Sequence, residues 1–120
     1  MDVTIYHNPR CSKSRQTLAL LKERGVEPRV VRYLDTPPSV EELDRILDLL
    51  GKEPREVMRR REAPYKELDL KDPELSRRQL LEALVEHPKL IERPLVVVED
   101  EDGDRAALGR PPEAVLEILR

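Results

Sequence analysis

The 120-residue sequence predicts one α/β domain with a mixed sheet, assembled as β-α-β, a helical insertion, then β-β-α. Three observations predict it. Near the N-terminus a β-branched segment, a helical apolar pattern and a second β-branched segment follow one another at tight spacing. The middle of the chain holds helical patterns opened by polar caps. Near the C-terminus an apolar run, an Asp-Gly turn signal and a return segment precede one more helical pattern.

Each element has its own signal. Residues 3–6 (Val-Thr-Ile-Tyr) read as the first strand, broken by His7, Asn8 and Pro9. From Ser12 the pattern turns helical, with Leu18, Ala19, Leu20 and Leu21 as its apolar residues, and Gly25 suits the left-handed position that ends a helix. Residues 29–33 read as the second strand, and the short intervening helix makes the pair parallel with a crossover. Thr36, Pro37 and Pro38 mark a turn. Ser39 with Glu42 matches a capping box for a helix carrying Leu43, Ile46, Leu47 and Leu50 inward and stopping at Gly51. Pro54 starts a short helix with Val57 and Met58. Ser76 with Gln79 forms a second capping box ahead of Leu80, Leu81, Leu84 and Val85, and His87-Pro88 closes that helix. Strand character returns at residues 95–98, turns at Asp102-Gly103 and comes back antiparallel over residues 105–108. Gly109 ends it, and Pro111-Pro112 leads into a last helix with Ala114, Val115, Ile118 and Leu119. The reading is a single domain, residues 1–120, with a helical insertion at about 37–90.

Bulk properties narrow the function. There is no Phe or Trp and only three Tyr, so the core is aliphatic and recognition of nucleic acid by base stacking is not expected. Charged residues form 39% of the chain, yet the net charge is only −3, so no global field draws it to nucleic acid or to an anionic membrane. One cysteine permits no internal disulfide. The N-terminus has no signal-peptide pattern, and the longest wholly apolar run is far short of a membrane span. The expectation is a cytoplasmic monomer that binds neither membrane nor nucleic acid.

That lone cysteine is the main chemical signal. Cys11 lies just after a strand and just before a helix. Unpaired amides and the helix dipole there favour a thiolate over a thiol, and the same geometry attracts anions. Arg10, Lys13 and Arg15 are close in sequence, and the polar flanks do not suit a cysteine buried as a small hydrophobe. Other chemistries fail on spacing. A C-x-x-C dithiol is absent, although Cys11 to Ser14 reads C-x-x-S. A tyrosine-phosphatase loop needs arginine six positions after the cysteine, where Thr17 stands. His7 and Cys11 lack further ligands for zinc, since His87 is the only other histidine. No glycine-rich nucleotide loop is present.

The segment Tyr6-His-Asn-Pro-Arg-Cys-Ser-Lys-Ser-Arg15 resembles the active-site loop of the glutaredoxin-coupled arsenate reductases. The likeness continues in order through Tyr33-Leu-Asp-Thr-Pro-Pro38, Ala63-Pro-Tyr65, Glu92-Arg-Pro-Leu-Val-Val97 and Gly109-Arg-Pro-Pro-Glu-Ala-Val-Leu-Glu-Ile-Leu119. The resemblance implies a thioredoxin-like fold with an added helical subdomain and a Cys11 that attacks arsenate. It implies that Arg59, Arg93 and Arg110 hold the oxyanion, that His7 and Ser14 favour the thiolate, to which the nearby Arg15 adds by its charge, and that Pro94 is the cis-proline beside the cysteine. It implies no bound cofactor or metal, glutathione as co-substrate and glutaredoxin as protein partner. Many of these reductases carry Ala-Cys-Gly-Thr-Ser at the cysteine, where this chain has Arg10-Cys-Ser-Lys-Ser14, and in this it resembles a side branch of arsenate-reductase-like proteins. Two other readings stand beside the reductase: a monothiol glutaredoxin-like carrier of glutathione or an iron-sulfur cluster, supported by C-x-x-S, and a regulator that contacts RNA polymerase, as in a related branch that commonly has C-x-x-C.

Overall fold

The computed structural model describes residues 1–119 and resolves them into two compact units, Met1–Thr36 with the segment from Arg93 onward, and Pro37–Glu92.

The first unit is a four-stranded mixed sheet with strand order β2-β1-β3-β4. Its strands are β1 (Asp2–Tyr6), β2 (Arg29–Val31), β3 (Leu95–Glu99) and β4 (Arg105–Leu108). β1 pairs parallel to β2 and antiparallel to β3, and β3 pairs antiparallel to β4. Helix α1 (Ser12–Glu23) is the crossover between the parallel strands. This β-α-β, β-β arrangement is thioredoxin-like. The apolar core joins Val3 and Ile5 of β1, Leu21 of α1, Val96 and Val98 of β3, and Val115 and Ile118. Both faces of β3 are buried from Leu95 to Val98, which is why that strand reads as an unbroken apolar run.

Some local expectations change. Ala19 is exposed, and the buried positions of α1 are Ser14, Thr17 and Leu21, two of them polar. The last helix is not α: Pro112–Ile118 is a 3₁₀ segment entered through two prolines. β2 stops at Val31, short of the predicted Tyr33. Tyr33 is instead a fully buried side chain beyond the strand end.

The second unit contains α2 (Val40–Leu50), α3 (Ala63–Glu67) and α4 (Arg77–Glu86) with 3₁₀ turns at Pro54–Val57 and Pro88–Leu90. The capping box at Ser76 and Gln79 is complete. At α2 only half of the expected box forms. Ser39 accepts from the Glu42 amide, while the Glu42 carboxylate pairs with Arg45 at 2.9 Å. Gly51 takes the left-handed conformation that closes α2, with φ of 68°. Met58 and Ile91 form an isolated antiparallel bridge, and the flanking amides of Arg59 and Glu92 donate to Leu90 and Val57 carbonyls. Arg77 gathers Asp44, Asp48 and Glu53 into one ion-pair cluster. The short α3 carries no apolar periodicity in sequence and was not predicted.

Candidate active site

Sheet register decides what meets Cys11. Tyr6 at the end of β1 pairs with Val31 at the end of β2 and with Leu95 at the start of β3, and Leu95 pairs with Leu108 at the end of β4. Four chain segments therefore leave or enter the sheet at one end: residues 32 onward, the Cys11 loop, Arg93-Pro94 and Gly109-Arg110. Sites gather at such strand ends, because the loops there are held by a rigid sheet yet free in sequence.

Cys11 is the N-cap of α1, with extended backbone (φ −95°, ψ 123°), and is partly exposed. As a thiol it makes no capping bond. Burial pushes the sulfur's pKa up, but this is outweighed. The Ser14 amide, the Arg93 guanidinium as donor and as charge, and the Lys13 amide together hold the thiol below its ordinary value. These amides are the unpaired N–H groups of the first helical turn, so the sequence position alone supplies them. Arg93 is remote in sequence, just ahead of β3, and is brought in by the pairing of β3 with β1.

Beneath the sulfur lies a small polar network. His7 is buried, and its Nδ1 shares a hydrogen bond of 2.6 Å with the hydroxyl of the fully buried Ser14. The Asn8 amide donates to the same Ser14 oxygen at 3.0 Å. The His7 pKa is lowered, first by burial and then by the charges of Arg32, Arg15 and Lys22, so the imidazole is neutral at neutral pH. The network thus ties the start of the loop to the first turn of α1 and fixes where Cys11 sits. Arg15 donates to the Pro9 carbonyl at 3.0 Å. Its charge bears on His7, and its hydrogen bond shapes the loop rather than reaching the sulfur.

The candidate arginines differ in setting. Arg93 is half-buried, and its Nε–H is buried with no acceptor among the described residues. A buried donor without a partner costs about 1–3 kcal/mol. Arg110 is exposed and follows Gly109, whose amide donates to the Pro94 carbonyl at 2.9 Å. Arg59 belongs to the second unit, where it pairs with Glu62 at 3.5 Å. It is partly buried, while its neighbours Arg60 and Arg61 are exposed. The Arg93–Pro94 peptide bond is cis, and so is Arg110–Pro111, which the sequence reading did not anticipate.

Two residues at this end of the sheet were also missed from sequence. Gly109 packs so closely that an added Cβ would lie 2.6 Å from the Thr17 hydroxyl and 2.8 Å from the Pro94 ring. Thr17 is fully buried and donates to the Lys13 carbonyl at 2.8 Å. The Gly109-Arg-Pro string carries no trace of this contact in sequence, since Thr17 and Pro94 are both distant along the chain. Among the described residues no group of three His, Cys, Asp or Glu side chains could hold a metal ion, and no helix is long and apolar enough to cross a membrane.

Comparisons with known proteins agree in kind. The ArsC family model matches residues 6–118. An arsenate reductase of Haemophilus influenzae is 50% identical over 120 residues, covering 99% of this chain and all of its own. An uncharacterized Escherichia coli protein, YfgD, is 56% identical over 98% of this chain and 97% of its own. The solved structure of an arsenate reductase from Vibrio cholerae superposes with a TM-score of 0.91 at 57% identity, covering 99% of this chain and 98% of that one.

Proposed function

The chain belongs to the ArsC family, and from that premise we propose that it is an arsenate reductase in which Cys11 is the nucleophile and glutathione and glutaredoxin supply the electrons. The observation that carries the proposal is the pairing of a thiol whose pKa is lowered by helix amides and Arg93 with a buried Arg93 Nε–H that has no acceptor among the described residues. One group attacks an electrophilic centre and the other neutralises an oxyanion.

In the first step the Cys11 thiolate attacks As(V). A sulfur–arsenic bond forms, and an arsenate oxygen leaves as water after gaining protons. Arg93 and Arg110 take the remaining oxygens. In the second step an external thiolate attacks the Cys11 sulfur. The new S–S bond forms, the S–As bond breaks, and its electron pair stays on arsenic, which departs as As(III). Two sulfurs have then lost one electron each and arsenic has gained two. With a single cysteine the chain cannot provide the second sulfur, so the mixed disulfide is released by a further thiol, the role assigned to glutaredoxin. The reaction runs in the cytoplasm, where free thiols persist.

The test is NADPH consumption with arsenate, glutathione, glutaredoxin and glutathione reductase. Wild-type protein is expected to turn over, and Cys11→Ser is expected to lose all activity. Equal activity in the Cys11→Ser protein refutes the proposal.

A further inference from the structure

Strand order gives the Cys11 loop two different flanks. Arg93 and Arg110 emerge on the β3–β4 side, and Arg32 emerges on the β2 side. A cavity of about 200 Å³ opens on the β2 side. It is lined by Asn8, Pro9 and Arg10 of the loop and by Arg32, Leu34 and Asp35 after β2, with His7 in its wall.

Its chemistry is that of a receiver for an anion with an apolar arm. The Arg10 side chain makes no hydrogen bond or ion pair among the described residues. Arg32 has only Asp35, at 3.7 Å, with both side chains more than half exposed, a contact worth little and easily exchanged for a ligand carboxylate. Leu34, 42% exposed, and Pro9 add apolar surface to the same cavity lining as the two arginines. The cationic residue Arg10 belongs to the Arg10-Cys-Ser-Lys-Ser14 string in which this chain departs from the small-residue loop.

We propose that this cavity binds the carboxylate end of an anionic peptide thiol, the co-substrate that delivers the second sulfur to Cys11. The proposal rests on the reductase reading only for the role of that thiol. Arg10 and Cys11 are chain neighbours, with Cα atoms about 3.8 Å apart, and an extended tripeptide spans about 10 Å. A ligand anchored at Arg10 and Arg32 thus has ample length to present its sulfur to Cys11. The oxyanion occupies the opposite flank, so the two substrates do not compete for the same cations.

The experiment is calorimetric titration of the full chain with S-methylglutathione, which keeps both carboxylates but cannot react. One-to-one binding is expected. Arg10→Ala and Arg32→Ala are each expected to weaken it about fivefold, the scale of one exposed charge contact. The diester, with both carboxylates capped, is expected not to bind, and Arg93→Ala is expected to leave binding unchanged. No binding up to millimolar ligand, binding indifferent to both arginine substitutions, or equal binding of the diester overturns the proposal. Turnover of arsenate by the wild-type protein, measured in parallel, reports separately on the reductase reading. Binding without turnover keeps the cavity assignment and refutes the reductase; turnover without binding does the reverse.

Discussion

Gly109→Ala tests the packing that sets the β3–β4 side of the site. The added methyl would sit 2.6 Å from Thr17 Oγ1, 2.8 Å from Pro94 Cγ and 3.1 Å from Thr17 Cγ2. Carbon atoms normally approach to about 3.5 Å, so the overlap at Pro94 is about 0.7 Å. None of these partners yields cheaply. Pro94 is a ring, and Thr17 is fully buried with its hydroxyl committed to the Lys13 carbonyl at 2.8 Å. Rotating Thr17 away forfeits that bond, a loss of about 1 kcal/mol. Overpacking of this kind costs about 1–3 kcal/mol, which for a domain of this size lowers Tm by about 4–12 °C. The check is urea and thermal unfolding of the single variant and of a double-mutant cycle with Thr17→Ala. Removing Oγ1 and Cγ2 deletes two of the three clashes, so the glycine substitution should cost about 1 kcal/mol less in the Thr17→Ala background. Because Arg110 follows Gly109 directly, the KM for arsenate should also rise more than kcat falls. A Gly109→Ala protein within about 0.5 kcal/mol of wild type, or a cycle without coupling, would show that the close approach has no energetic weight.

Three further outcomes follow from the site. Arg93→Ala removes both the donor and the charge beside Cys11, so alkylation of Cys11 by iodoacetamide at pH 6 should slow and its pH profile should move to higher pH, with arsenate turnover weakened; an unmoved profile would place Arg93 away from the sulfur. Ser14→Ala leaves His7 Nδ1 and the Asn8 amide without their shared partner, a loss of about 1–3 kcal/mol in urea unfolding, and Ser14→Thr should recover part of it. The buried His7 has a pKa below its ordinary 6.5, so the unfolded chain binds a proton that the folded chain refuses. Its contribution to stability is complete above pH 6.5 and declines as pH falls from there through the folded value. Urea midpoints at pH 7.5 and pH 5 should differ more in wild type than in His7→Gln.

Much of this molecule is decided locally. The order of elements, the cap at Ser76 and the stop at Gly51 follow from short-range preferences that act over one or two turns. So does the placement of Cys11 at a helix start, whose free amides are a property of every helix and ask nothing of the rest of the chain. Other features escape a reading of hydrophobic pattern and strand propensity. Hydrophobic patterning passes over Ser14 and Thr17, because it counts apolar side chains, and their burial is repaid by hydrogen bonds to His7 and Lys13. It also misses the 3₁₀ form of Pro112–Ile118. The meeting of Cys11 with Arg93, the need for glycine at position 109 and the placement of Arg32 across the loop all depend on strand register. Register is fixed by pairing between segments about 25 to 90 residues apart, so which charges surround the sulfur is settled only when the sheet closes.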